Sequence, residues 1–156
     1  MPQIIANHYR FTVMLTVNHI ADDTELQTAF RIRAKVFVEE QHVPADEEYD
    51  EYETSSRHFL AYADGTPCGT ARWRHTDKGI KLERFAVLPD FRSRKVGSAL
   101  VQAVLDDVQS QSAETEKPVY LHAQVTAMPL YAKFGFWPVG EMFLECDIEH
   151  YKMVRV

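Results

Sequence analysis

One stretch, Lys81 to Leu100 (KLERFAVLPDFRSRKVGSAL), constrains the fold more than any other. Leu82, Phe85, Val87 and Leu88 supply β-favouring bulk, and Pro89, which cannot donate to a ladder, stops the strand. From Val96 the apolar residues recur at helical spacing, through Ala99, Leu100, Ala103, Val104 and Val108. The stretch therefore predicts strand, short basic loop and helix. A chain entering a helix leaves several N–H groups unpaired, and the helix dipole adds partial positive charge there. Arg92, Arg94 and Lys95 stand at that point, so the turn suits an anion, and phosphate is the obvious one. Gly97 lets the backbone approach a ligand closely. A solvated basic turn would show the same residues, so the stretch alone does not decide.

With 156 residues the chain suits one domain, 1–156, with a real core. No apolar run approaches the roughly 20 residues of a membrane span. Met1 to Arg10 lacks the layout of a signal peptide, so a cytoplasmic protein is expected. Cys68 and Cys146 form no metal spacing and no disulfide framework, and both fall in strand-like segments where a thiol packs as a small apolar group. Neither histidines nor carboxylates show ligand spacing, so no metal is expected. Seventeen basic against twenty-three acidic residues give a net charge of −6, which disfavours nucleic acid as the main partner.

In chain order, Tyr9 to Val17 reads as a first strand. Asp22-Asp23-Thr24 offers a helix N-cap, with Gln27 as capping-box partner of Thr24. Leu26, Ala29, Phe30, Ala34 and Phe37 mark the helix's apolar face, opposite Gln27, Arg31 and Lys35. Glu39 to Glu53 is strongly acidic. It reads either as a solvated surface loop or as the wall of a substrate mouth that attracts a cationic amine, with Glu40 among its contacts. Arg57 to Ala63, Gly69 to His75 and the strand of Glu83 form three successive antiparallel strands, the first two joined at Asp64-Gly65. Arg72 and Arg74 share one face of the middle strand. The helix from Val96 runs to about Gln109, a polar link spans Gln111 to Lys117, and Val119 to Ala123 is a short strand. A short helix follows, with Thr126 as cap, Pro129 in the first turn and Gly135 as stop. Phe136 to Val139, Glu141 to Asp147 and Tyr151 to Val156 supply the last strands, whose exposure leaves a homodimer open.

The first stretch resembles motif A of the GNAT superfamily, the acyl-CoA-dependent N-acyltransferases, in which a V-x-P turn leads to R-x-x-G-x-G. Here Val87-Leu88-Pro89 precedes Arg92-Ser93-Arg94-Lys95-Val96-Gly97, and Ser98-Ala99-Leu100 opens the helix. Lys95 replaces the first glycine. A looser register from Arg94 satisfies R-x-x-G-x-A, but the first puts Gly97 at the helix start as in the family. A second segment, Gln124 to Phe136, resembles motif B, N-x-x-A-x-x-L-Y-x-x-x-G-F. Ala127, Leu130, Tyr131, Gly135 and Phe136 match in register, and Gln124 replaces the asparagine. Phe37 to Pro44 also resembles a segment of small single-domain bacterial GNAT proteins. The resemblance covers nearly the whole chain from Phe11.

It implies an α/β (mixed α+β) acyl-CoA N-acyltransferase fold: a mostly antiparallel mixed sheet of about six or seven strands flanked by about four helices. It implies acetyl-CoA as co-substrate and a small-molecule or peptide amine as acceptor, with no metal, nucleic acid or membrane. Arg92, Ser93, Arg94, Lys95, Val96, Gly97 and Ser98 would hold the diphosphate. Backbone around Phe85, Ala86 and Val87 would meet the thioester carbonyl and pantetheine, and Gln124 would give one further contact. Tyr131 would protonate the departing thiolate. Its phenol, near pKa 10, can donate to a thiolate whose thiol titrates near 8.5. Glu83 is the leading base, directly or through water, with His122 or water alone as alternatives. Glu40, Arg72 and His122 are the expected substrate contacts. The Lys95 and Gln124 departures keep a second reading open, a sensor that binds acyl-CoA without turnover.

Overall fold

The computed structural model describes residues 12–112 and 117–156. Its first strand, β1, spans Leu15–His19; the expected start at residues 9–11 lies outside the described residues, as does 113–116 of the polar link. Helix α1 (Asp23–Arg33) begins one residue after Asp22, whose side chain accepts from the Glu25 amide at 2.8 Å. The cap is therefore Asp22 and not Thr24. A π-helical turn, Ala34–Glu40, continues α1, and a single turn α2 (Ala45–Glu48) follows Pro44.

Strands β2 (Arg57–Ala63), β3 (Thr66–Thr76) and β4 (Gly79–Val87) form the expected meander. Asp64 (φ 48°) and Gly65 (φ 83°) make the tight turn between the first two, with positive φ at both central positions as the strand twist favours. Helix α3 (Val96–Ser112) outlasts the expected end by three residues. Strand β5 (Val119–Gln124) leads through a 3₁₀ turn, Val125–Ala127, into α4 (Met128–Ala132). Thr126 lies inside that turn and does not cap. Strand β6 (Phe136–Glu145) is continuous across Gly140, with an irregularity against β7 (Ile148–Arg155) between Val139 and Phe143. Cys146 (φ 47°) and Asp147 (φ 62°) make the hairpin turn between them. The thiol expected to pack in a strand is thus exposed on a turn, while Cys68 is buried as expected.

Among the described residues seven strands run in the order β1-β2-β3-β4-β5-β7-β6, with the β4–β5 pair parallel and the others antiparallel. Helix α3 covers one face with Val96, Leu100, Val101, Val104, Leu105 and Val108, all buried against the sheet. On the other face Ala29, Ile32, Val36 and Phe37 pack on Leu60 and Ala86. Each large aliphatic group so buried contributes roughly 1.5–3 kcal/mol. Among the described residues no helix is long and apolar enough to cross a membrane.

Candidate active site

A break in the sheet makes the site. β4 and β5 pair only from Ile80–Leu82 to Val119–Leu121, and beyond that they part. The cause is local. Arg72 pairs with Glu83 and Thr70 with Ala86, so Arg84 and Phe85 together oppose one residue of β3. Such a bulge bends its strand, and Arg84 takes φ 60° to make it. From Glu83 onward β4 has no ladder partner on the β5 side among the described residues. Into the gap opens a cavity of about 460 Å³. Phe85, Glu83, His122, Gln124 and Tyr131 all line it, so the structure brings together residues 48 positions apart in the chain.

Tyr131 stands on α4, 7% exposed, with its ring edge-on to Phe85 at 5.6 Å. Burial pushes its phenol above the ordinary range, so it stays protonated at any working pH. Among the described residues its hydroxyl has no hydrogen-bond partner, and it remains free to donate.

Glu83 also faces the cavity, but its carboxylate is surrounded. Oε1 accepts from Arg72 at 2.8 Å and Arg74 at 2.6 Å, and Lys81 lies 3.4 Å from Oε2. Burial alone would raise this carboxyl; Arg72, Lys81 and Arg74 outweigh it and hold it below the usual value. A carboxylate held below its usual value is a weaker proton acceptor. Arg72, expected at the substrate, is 0% exposed and is not among the residues that line this cavity. Its guanidinium bonds Asp50, Glu53 and Glu83, so it holds strands and the acidic segment together. Arg33 does the same from α1, binding Glu48 at 2.7 Å and Glu53 at 2.9 Å. The acidic segment is therefore neither a free loop nor wholly a substrate wall. Glu48, Asp50 and Glu53 are pinned by Arg33, Arg72 and Arg84, whereas Glu47 and Glu48 also face the cavity. Arg33 sits on the helical face next to Phe37, a position where only tertiary contacts reveal a buried cation.

A second groove, about 350 Å³, lies at the start of α3 and is lined by Val87, Arg92, Ser93, Lys95, Gly97 and Ser98 among others. Ser93 (φ 63°) and Lys95 (φ 66°) are both left-handed, which turns successive amides toward one side. The position at which the family carries glycine is thus one where a side chain is strained. The first turn of α3 contains no acidic residue. This is the layout of an anion site, and a diphosphate fits its donors. Arg92 is less free than expected. It binds Glu40 through two hydrogen bonds and the Val87 carbonyl through a third. Glu40 accordingly meets Arg92 and lies outside the cavity lining. Arg94 lies over the Phe91 ring at 5.7 Å and does not line the groove. Lys133, from α4, does line it, and nothing in its spacing singled it out. Gly97 has a packing reason of its own, since a Cβ there would come within 3.2 Å of Leu130 Cδ2. Ala86 is buried under α1 and can offer only its backbone.

Gln124 lines the cavity, but its amide exchanges hydrogen bonds with Gln41 at 2.8 and 3.4 Å, bridging β5 to the π-helical turn. His122 Nδ1 lies 2.8 Å from Glu145 Oε1, and His150 stands on the other side of that carboxylate. Across the mouth the Cys146 thiol donates to Glu47 at 2.8 Å, which pushes the thiol up to about 11. Glu145 and Gln41 were not legible as site residues, because only the β6–β7 turn and the π-helical turn carry them to the break.

The acetyltransferase (GNAT) domain family model matches residues 20–156. The uncharacterized N-acetyltransferase YjcF of Bacillus subtilis is 38% identical over 135 residues, 86% of this chain and 94% of that protein. Two crystal structures share the fold at 28% identity over 92% of this chain and 99% of theirs. One is ElaA of Escherichia coli, with a TM-score of 0.79, and the other an acyl-CoA N-acyltransferase of Pseudomonas aeruginosa, with 0.78. With its β4–β5 break, its helix-capped groove and a family match across almost all of its length, the chain belongs to the GNAT acetyltransferase family.

Proposed function

We propose that the protein moves an acetyl group from acetyl-CoA to a primary amine by direct attack of the amine on the thioester. One observation carries this reading. Groove and cavity are built from the same two elements: on α4 Leu130 lines the first and Tyr131 the second, and on β4 Val87 lines the first and Phe85 the second. A diphosphate held by the amides of residues 93–98 with Lys95 and Lys133 would send its pantetheine arm along the unpaired edge of β4. The thioester would then reach the cavity beside Tyr131.

Backbone amides of β4 past its last pairing with β5 supply donors for the carbonyl oxygen as negative charge gathers on it. Tyr131, neutral and unpaired, gives its proton to the leaving sulfur. The acceptor enters at the mouth between α2 and the β6–β7 turn, where Glu47 and Glu145, which have no arginine partner among the described residues, favour a cationic amine.

Thiol release with acetyl-CoA and a panel of polyamines, amino acids, aminoglycosides and peptides tests the reading, with acetylated products read by mass. Tyr131→Phe should cut turnover at least tenfold and leave the CoA dissociation constant unchanged. CoA binding without modification of any amine would favour the sensor reading, which the Gln41–Gln124 bridge over the cavity supports. A Tyr131→Phe enzyme with normal turnover would remove the acid role.

A further inference from the structure

The cavity holds an acid–base group that this reading leaves without a task. His122 on β5 places Nδ1 2.8 Å from Glu145 Oε1 at the end of β6. The other oxygen of Glu145 lies 3.7 Å from His150 Nε2, and His150 Nδ1 is 2.7 Å from the Ile148 carbonyl, which can only accept. Phe143 stands between the two imidazoles. It meets His122 edge-on at 5.1 Å and stacks on His150 at 5.8 Å, so both rings are held in orientation.

The tautomer follows from the carboxylate. The hydrogen bond from His122 holds the Glu145 carboxyl below its usual value, so it is ionised and can only accept. The proton therefore sits on Nδ1. In the neutral imidazole Nε2 therefore carries the lone pair, and among the described residues it has no partner. The other charged or titratable groups around this site are Lys81, Glu83 and Arg84 from β4, Arg74 from β3, His150 and Lys152 from β7, Tyr120 and Tyr131, and Glu47, Glu48 and Asp50 with Cys146 on the mouth side. Glu83 is engaged by Arg72, Arg74 and Lys81, and Lys152 lies over the Tyr120 ring at 5.0 Å. His122 Nε2 thus has no partner among the described residues, in a cavity where Glu83 is held by cations, whereas the free nitrogen of His150 faces the Glu145 carboxylate.

We propose that His122, oriented by Glu145, is the base that takes the proton of the acceptor ammonium; this rests on the acyl-transfer reading above. Nε2 takes one proton from R–NH₃⁺ and passes it to cavity water, leaving a neutral amine. The nitrogen lone pair forms the C–N bond while the C–S bond breaks. The sulfur gains a proton from Tyr131, and the phenol is restored by the second proton that the nitrogen loses. The sum is ammonium plus acetyl thioester giving amide, thiol and one released proton. Glu145 is a positioning residue that fixes the tautomer and pairs with the transient imidazolium.

The test is the pH dependence of kcat/KM, using acetyl-CoA and an amine of the panel, for wild type, His122→Gln, Glu145→Gln and Glu145→Asp. His122→Gln should lower kcat about a hundredfold and abolish the acid limb, with CoA affinity by calorimetry unchanged. Glu145→Gln should move the acid limb to lower pH by about one unit, since a neutral amide no longer favours the imidazolium, and Glu145→Asp should move it back. A His122→Gln enzyme that keeps rate and acid limb while Tyr131→Phe loses turnover overturns this inference alone. A wild-type protein that acetylates no amine overturns it together with the reading it rests on.

Discussion

The guanidinium of Arg92 lies against the carboxylate of Glu40, with nitrogen–oxygen distances of 2.7 and 2.8 Å, and its Nε donates to the Val87 carbonyl at 3.0 Å. One side chain thus ties the α3 loop, the end of β4 and the π-helical turn together. Glu40→Gln should release that charge into the groove. CoA binding, measured by calorimetry at several salt concentrations, should tighten about two- to fivefold with a steeper salt dependence. Both partners are substantially exposed, so the stability cost should stay under about 1 kcal/mol. Weaker CoA binding would mean that the clamp matters more than the charge.

Lys95 sits at φ 66°, where a Cβ is strained by about 1 kcal/mol. Lys95→Gly should therefore unfold at equal or slightly higher urea concentration than wild type. The same change removes a cation from the groove and should weaken CoA binding several-fold. A variant less stable than wild type would contradict the strain.

Arg72 is fully buried and binds three carboxylates. Arg72→Met leaves Asp50, Glu53 and Glu83 short of a counter-charge, and should cost roughly 3–5 kcal/mol in urea-unfolding experiments. A loss below about 1 kcal/mol would show the network to be dispensable.

Acid should loosen the same region. Burial would raise the Asp50 carboxyl, but the hydrogen bonds and charge of Arg72, with help from the Tyr52 amide and Arg84, bring it down to about 2. A carboxyl lowered on folding stabilises the folded state above its unfolded value, near 3.9, and that contribution drains away as pH falls through the folded one. The loss should therefore fall between about pH 4 and pH 2 and amount to about 1 kcal/mol, since solvent screens the partly exposed group. Asp50→Asn should flatten the stability curve in that window. An unchanged slope would detach Asp50 from the acid response.

The elements that carry the family motifs were legible locally because each depends on near neighbours. The Val96 helix declares itself through apolar spacing, the β2–β3 hairpin through Asp64-Gly65, and Tyr131 through its register with Gly135-Phe136. Glu83 was legible as a residue of the cavity but not as a carboxylate beneath three cations, because those cations come from β3 and β4 only once the strands pair. His122 pointed at the site without its partner. Glu145 lies 23 residues away and arrives through the β6–β7 turn.

By itself the sequence determined a basic turn entering a helix, a tyrosine on a second short helix and a meander between them, since backbone propensity and spacing act over a few residues. Only the tertiary structure decided which charges are engaged. Arg33, Arg72 and Arg92 look like free cations in the chain and are each tied to carboxylates in the fold. Whether a charge is available depends on what other segments bring within about 4 Å of it, and that distance exists only after the sheet has formed and split.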